Sequence, residues 1–195
     1  SAGEMRIALD TILPPNSISF AGPGKKEHEL RSAIAAGIVL NVESDQEMEL
    51  IAQLGEFLGI TPKVAIRVNP DFELKSSGMK MSGGSKPFGV DAECVPDLLM
   101  RLRKLGLNFI GFHIFSGSQN LNAAAIQETH AKTFQLGIQL ADYAPSPVCL
   151  LNIGGGFGVP YFPGDKALDL AFIGENLRCL MPEVKRQLPD TRIAI

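Results

Sequence analysis

The sequence predicts an α/β fold built around parallel strands, and three observations carry that reading. Short apolar runs alternate with amphipathic stretches along all 195 residues. A helix-length stretch separates successive runs, the crossover that parallel neighbours need. Turns rich in glycine and serine stand at the carboxyl ends of two runs. Both parallel architectures, the closed barrel and the doubly wound sheet, place their ligands at such ends.

Each element has a local reason. Ile18-Ser19-Phe20 is a short strand, followed by a helix over Glu27–Ala36, and residues 38–42 form the next strand. Ser44-Asp45-Gln46-Glu47 fits a capping box, in which the Ser hydroxyl and the Glu carboxylate satisfy free N–H groups. The helix it opens buries Met48, Ile51, Ala52, Gly55 and Leu58, a stripe at 3.6-residue spacing. Lys63–Asn69 is a strand that stops at Asn69-Pro70, because proline drives its predecessor out of the helical region. A loop rich in Ser and Gly leads to a helix carrying Val95, Leu98, Leu99, Leu102 and Leu105. Residues 108–115 are the next strand. Asn122 caps a helix whose inward face carries Ile126, His130, Phe134, Ile138 and Ala141. Residues 149–153 form the strand that ends in glycines. The following helix buries Ile173, Leu177, Leu180, Met181, Val184 and Leu188, with Pro182 expected to break or kink it. Residues 192–195 begin one more strand. No internal domain boundary is marked, and a chain opening on a helix and ending inside a strand is expected to be an excerpt.

Hydrophobic residues make up 45% and charged residues 20%, ordinary values for a globular protein. A net charge of −3 with scattered Lys and Arg gives no footprint for nucleic acid. No apolar run approaches the roughly 20 residues that span a bilayer, and the N-terminus lacks the basic and apolar regions of a signal peptide. Cys94, Cys149 and Cys179 are odd in number and widely spaced, which predicts reduced core thiols in a cytoplasmic protein. His28, His113 and His130 fall in three segments without metal-ligand spacing, so no metal is expected.

Two stretches carry the candidate chemistry. In Leu150-Leu151-Asn152-Ile153-Gly154-Gly155-Gly156-Phe157-Gly158 the three consecutive glycines leave no Cβ in the way. Successive N–H groups can then turn inward as an anion-binding concavity, although a tight strand-to-helix turn explains the run equally well. The pattern is neither the dinucleotide-binding Gly-x-Gly-x-x-Gly nor a P-loop. Ser118, in Gly111-Phe112-His113-Ile114-Phe115-Ser116-Gly117-Ser118-Gln119-Asn120, offers a hydroxyl from a neighbouring strand end. Together they suggest a pocket for a phosphorylated cofactor. Arg67 lies within the apolar strand Val64-Ala65-Ile66-Arg67-Val68-Asn69. Arg is rarely buried unpaired, so it needs a carboxylate or an anionic ligand. Strand alternation puts His113 and Phe115 on one face and Phe112 and Ile114 on the other. In a barrel the first of these is the lumen or the helix-packed side. His130, on the apolar face of its helix, reads as a core residue.

Five further stretches complete an ordered set: Ser1-Ala2-Gly3-Glu4, Ile18-Ser19-Phe20-Ala21-Gly22-Pro23-Gly24-Lys25-Lys26, Asn41-Val42-Glu43-Ser44, Arg67-Val68-Asn69-Pro70, and Gly111 to Gln119, with Asn152 to Gly158 after them. The set resembles the fold-type III pyridoxal-phosphate decarboxylases, the alanine-racemase-like barrels that include diaminopimelate and ornithine decarboxylases, and within them the exosortase-associated branch. The resemblance covers essentially the whole chain. It implies a partial (β/α)8 TIM-like barrel without its first strand, its last strands and the C-terminal β-domain, residues 1–195 being the central part of the cofactor-binding barrel. It also implies a homodimer with active sites at the interface and an amino-acid substrate, diaminopimelate-like or otherwise basic or dicarboxylic, decarboxylated through a Schiff base. By the same resemblance, Gly154, Gly155 and Gly156 bind the phosphate of pyridoxal 5'-phosphate through backbone N–H groups, Ser118 hydrogen-bonds it, and Arg67, Phe115 and His113 lie near the cofactor ring. Lys86-Pro87-Phe88-Gly89 is similar to the family's Lys-Phe-Gly stretch.

The chain departs from the family pattern at informative places. No Ala-x-Lys-Ala-like motif is present, so the Schiff-base lysine is expected upstream and no catalytic residue is assigned here. Lys25 and Lys26 follow what is taken as the second strand and do not inherit that role. Phe115 stands where many members have histidine, three positions before the phosphate-binding Ser. Two other functions fit parts of the pattern. One is a phosphate-binding (β/α)8 isomerase or aldolase, for which Glu43 and Arg67 are the acid/base candidates. The other is a non-catalytic homologue that binds pyridoxal phosphate.

Overall fold

The computed structural model describes residues 1–72 and 87–195 and the backbone of residues 79–80. Nine strands and six α-helices alternate among the described residues: α1 (Ala2–Leu9), β1 (Ser19–Phe20), α2 (Glu27–Ala36), β2 (Val39–Val42), α3 (Asp45–Leu58), β3 (Lys63–Asn69), β4 (Met79–Lys80), β5 (Val90–Asp91), α4 (Val95–Lys104), β6 (Asn108–Ile114), β7 (Gly117–Ser118), α5 (Ala123–Ala141), β8 (Leu150–Asn152), α6 (Leu170–Gln187) and β9 (Arg192–Ala194). The main sheet runs β1-β2-β3-β6-β8-β9 with every pair parallel, and β5 joins β3 at its carboxyl end. The order follows the chain without reversal. Right-handed crossovers then place the helices on one face, so the sheet is half of a (β/α)8 barrel rather than a doubly wound sheet.

Side-chain alternation separates the two faces. Leu40, Val42, Val64, Ile66, Phe112, Ile114 and Leu151 are 0% exposed and form the core with the helices. Each contributes about 1.5–3 kcal/mol by leaving water. The other face carries Asn41, Glu43, Arg67, Asn69, His113 and Asn152, a polar lumen. An irregularity between β3 and β6 sets this division: Val64 pairs with Phe109, but Ala65 pairs with Gly111. The extra residue, Ile110, lets Phe109 and Phe112 both face the core, edge to face at 5.2 Å. Gly111, at φ +156, sits so close to β8 that a Cβ would lie 1.7 Å from the Leu150 carbonyl oxygen.

Several expectations need correction. All three cysteines are exposed rather than core thiols, because Cys94 precedes α4, Cys149 precedes β8 and Cys179 lies on the outer side of α6. Helix α6 runs through Pro182 without breaking. It buries only Ile173 and Val184 within its span, with Leu177, Leu180 and Met181 half-buried at the core margin. Leu105 is exposed beyond the end of α4. At α3 the Ser44 hydroxyl accepts from the Glu47 N–H as expected, but the Glu47 carboxylate accepts from the N–H of Glu43 rather than of Ser44. The Ser- and Gly-rich loop after β3, including Lys86, lies largely outside the described residues.

Candidate functional site

The glycine run leaves β8 as a tight loop. Gly154 and Gly156 hold φ of +74 and +73, the left-handed region that favours glycine. Each is also enclosed: a Cβ on Gly154 would lie 2.5 Å from the Phe115 ring, and one on Gly156 would lie 1.9 Å from the Gly117 carbonyl oxygen. Gly155 differs, with negative φ and only Ile195 Cγ2 within 4 Å of a Cβ built there, at 3.9 Å. The Asn152 side chain fixes the start of the loop by accepting from the Gly154 N–H at 2.9 Å.

Ser118 is brought to this loop by two clamps. The Asn120 N–H donates to the Gly156 carbonyl and the Gly158 N–H donates to the Asn120 carbonyl, both at 2.9 Å. Gln119, at φ +55, bonds Val159 through both ends of its amide, at 2.7 and 3.3 Å. As a result a Cβ on Gly156 would stand 3.2 Å from Ser118 Cα. Among the described residues, the N–H groups of Gly155 and Gly156 and the Ser118 hydroxyl have no protein partner. Three adjacent unpaired donors, two of them on a left-handed glycine loop, fit a phosphate monoester.

The lumen beside this cradle carries a row of polar side chains. Strand register aligns Arg67 with His113 and His113 with Asn152. Glu43 follows β2 directly and reaches the same level. Its carboxylate is enclosed: Oε1 accepts from Arg67 Nη1 at 3.0 Å and from the Gly22 N–H at 2.5 Å, and Oε2 accepts from the Gly89 N–H at 3.2 Å. Lys25 Nζ lies 2.8 Å from Glu47 Oε1 and 3.8 Å from Glu43 Oε1. The Lys25, Glu43 and Arg67 side chains are 1%, 3% and 7% exposed, so these are interior charges, two positive and two negative with Glu47. Burial pushes the Glu47 carboxyl up despite Lys25.

Arg67 therefore has the carboxylate partner that its burial required. Its guanidinium also lies 5.0 Å over the Phe88 ring, and among the described residues its remaining N–H groups have no acceptor. His113 is pushed down to about 4, first by burial and then by Arg67, so it is neutral at pH 7. Its Nδ1 is buried without a partner. Phe115 stacks beside it with ring centroids 6.5 Å apart and planes 23° from parallel, leaning on Gly154. His130 is buried 6.3 Å from the Phe157 ring and lines a small cavity with Phe115 and Gly155, with burial lowering its basicity. The sequence reading thus named Gly154, Gly155, Gly156, Ser118, Arg67, His113 and Phe115, which converge on one end of the sheet. It missed the structural parts played by Lys25, Glu47, Asn152 and Gln119. Asn152 and Gln119 stand beside the glycines and the serine in the quoted stretches, whereas the pairing of Lys25 with Glu47 joins two separate stretches and has no local signal.

A half-barrel with a glycine cradle at its strand ends defines an α/β protein suited to a phosphorylated cofactor. The chain belongs to the pyridoxal-dependent decarboxylases, whose pyridoxal binding domain matches residues 1–195. It is 37% identical over 198 residues to the L-glutamyl-[BtrI acyl-carrier protein] decarboxylase of Niallia circulans, covering 100% of this chain and 46% of that protein. Against diaminopimelate decarboxylase of Aquifex aeolicus it is 34% identical, covering 96% of this chain and 45% of the relative. The crystal structure of diaminopimelate decarboxylase from Helicobacter pylori complexed with L-lysine matches with a TM-score of 0.82 at 26% identity, covering 100% of this chain and 48% of that one. The chain spans about half the length of the curated relatives it matches. No described helix is long and apolar enough to cross a membrane.

Proposed function

We propose that this chain is the cofactor-binding part of a pyridoxal-phosphate-dependent amino-acid decarboxylase. The observation that carries the reading is the trio of unpaired donors, Gly155 N–H, Gly156 N–H and Ser118 hydroxyl, in a chain of this family. They would hold the phosphate. The free N–H groups of Arg67, with Phe115 and His113 beside them, would bound the ring. When bound, pyridoxal phosphate supplies the electron sink for the pair left by departing CO2. The lumen residues supply orientation. His113, neutral at pH 7, brings a flat uncharged surface and no positive charge to compete with the ring. Phe115 can neither donate a hydrogen bond nor move a proton, so on this strand recognition of a substrate carboxylate does not fall to this position.

The relatives' names support a basic or dicarboxylic amino acid, free or carrier-bound, as substrate. By the same family reading the protein works as a cytoplasmic homodimer with its active site at the interface. The test is CO2 release from meso-diaminopimelate, lysine, ornithine, arginine, glutamate and a glutamyl carrier-protein thioester, using the full-length protein reconstituted with the cofactor. Release from one of these, dependent on pyridoxal phosphate, is the expected result. Cofactor uptake without any CO2 would instead identify a non-catalytic binding homologue.

A further inference from the structure

We propose that Lys25 and Glu47 are positioning residues, which hold Arg67 in its lumen-facing pose by locking Glu43 in place. The inference rests on the reading of this lumen as a pyridoxal phosphate site. Neither residue bonds Arg67. Lys25 bonds Glu47 Oε1 at 2.8 Å and draws on Glu43 Oε1 from 3.8 Å, while Glu47 Oε2 accepts from the Glu43 N–H at 2.8 Å. Lys25 also donates to the Gly22 carbonyl, and the Gly22 N–H donates back to Glu43. Thus the turn after β1 closes on the Glu43 carboxylate, and the first turn of α3 holds the Glu43 main chain.

The geometry of the Arg67–Glu43 contact shows what this closure does. A free arginine–carboxylate pair favours two parallel hydrogen bonds. Here there is one, from Nη1 to Oε1. Oε1 is shared with the Gly22 N–H and Oε2 accepts from the Gly89 N–H, so three donors orient the carboxylate and it meets Arg67 through one oxygen alone. Among the described residues, the remaining guanidinium N–H groups are left without a partner at the level of His113. Stability is a weak account of this arrangement, since apolar residues of similar volume often replace a buried ion pair without loss. A fixed, half-used guanidinium is a better one, because binding sites depend on supporting contacts that lock their polar groups before the ligand arrives.

The test uses the full-length protein carrying Lys25→Met with Glu47→Gln. This removes the outer pair together and leaves Glu43 and Arg67 electrically balanced. Two affinities are measured, for pyridoxal phosphate by spectral titration and for inorganic phosphate by competition. A third readout is the Arg67 Nε–Hε signal in the apo-protein. The expected result is a rise of about tenfold in the pyridoxal phosphate Kd, a change of less than about twofold for inorganic phosphate, and a shifted or broadened Arg67 signal. Equal weakening toward both ligands would mean a loosened fold and overturns the inference, as does an unchanged Arg67 signal. Should the double variant fail to fold, Glu47→Gln alone is measured in the same way, and the same ring-specific loss at smaller size is expected. A wild-type protein that takes up no pyridoxal phosphate overturns the cofactor reading and this inference with it. Uptake with equal losses overturns the inference alone.

Discussion

At the scale of single residues, the three glycines of the loop do different work, and substitution separates them. Gly154 and Gly156 are required by the backbone: both hold positive φ, and a Cβ on Gly156 would collide with the Gly117 carbonyl oxygen. Gly156→Ala should therefore cost more than about 1 kcal/mol of folding stability before any cofactor is considered. Gly155 has room for a side chain on the protein side. Gly155→Val should leave the melting temperature of the apo-protein nearly unchanged while blocking approach of a phosphate to the loop. Titration of the apo-protein with pyridoxal phosphate checks this, and normal binding would mean that the run is only a turn. Ser118→Ala should weaken binding more mildly, by the roughly 1.5–3 kcal/mol of one hydrogen bond to a charged group. Phe115 gives the second test. Its ring stacks near His113 and leans on Gly154, and an offset aromatic contact with a cofactor ring is worth about 0.5–1.5 kcal/mol beyond area. Phe115→His should retain cofactor binding, and Phe115→Ala should loosen it and lower turnover. A Phe115→Ala protein that loses stability but keeps its cofactor spectrum would mark an ordinary core residue.

At the scale of elements, local chemistry made most of the fold legible. The helix at Glu27–Ala36 and the strand at Lys63–Asn69 match their expected bounds, because apolar spacing and the Asn69-Pro70 stop act within a few residues. What escaped the sequence was non-local. The extra residue at Ile110 exists because Gly111 approaches the Leu150 carbonyl, which lies 39 positions away in sequence, and nothing near Ile110 announces it. Glu47 reads locally as a capping-box carboxylate and Lys25 as part of the stretch after β1, and the two become a buried pair only when β1 and β2 align. The glycine run and Ser118 were legible as chemistry, but the clamp through Asn120 and Gln119 that joins them was not. Pro182 was read too simply. Proline in a helix interior costs up to about 3 kcal/mol relative to alanine when nothing offsets it, yet α6 continues past it for five residues. The helix persists because Ile173 and Val184 bury on either side of the proline. Since Pro182 itself is exposed, Pro182→Ala should restore the missing N–H without disturbing packing and raise stability by about 1–3 kcal/mol. A thermal melt checks it. An unchanged or lowered midpoint would mean that the core contacts of α6 depend on the proline.

At the scale of the whole molecule, the sheet carries its site at the centre of an arc and its weakest pairing at the two ends. β3 and β6 each have parallel neighbours on both sides, whereas among the described residues β1 and β9 are paired on one side only, through two and three residue pairs. The polar row Arg67, His113 and Asn152 spans β3, β6 and β8, so Arg67 and His113, assigned to the cofactor ring, sit on the two best-supported strands. The glycine cradle, one step further along β8, depends on the clamp to Asn120 and on the Ile153 N–H donating to Ala194 of β9. Local opening follows such differences in support, since strands with fewer buried neighbours and fewer ladder bonds exchange their amides sooner. Hydrogen exchange on residues 1–195 should therefore be slowest at Ile66, Val68, Phe112 and Ile114, faster at Leu150 and Leu151, and fastest among strands at Ser19–Phe20 and Arg192–Ala194. If the β9 amides prove as slow as those of β6, the graded picture is wrong and the arc opens as a single unit.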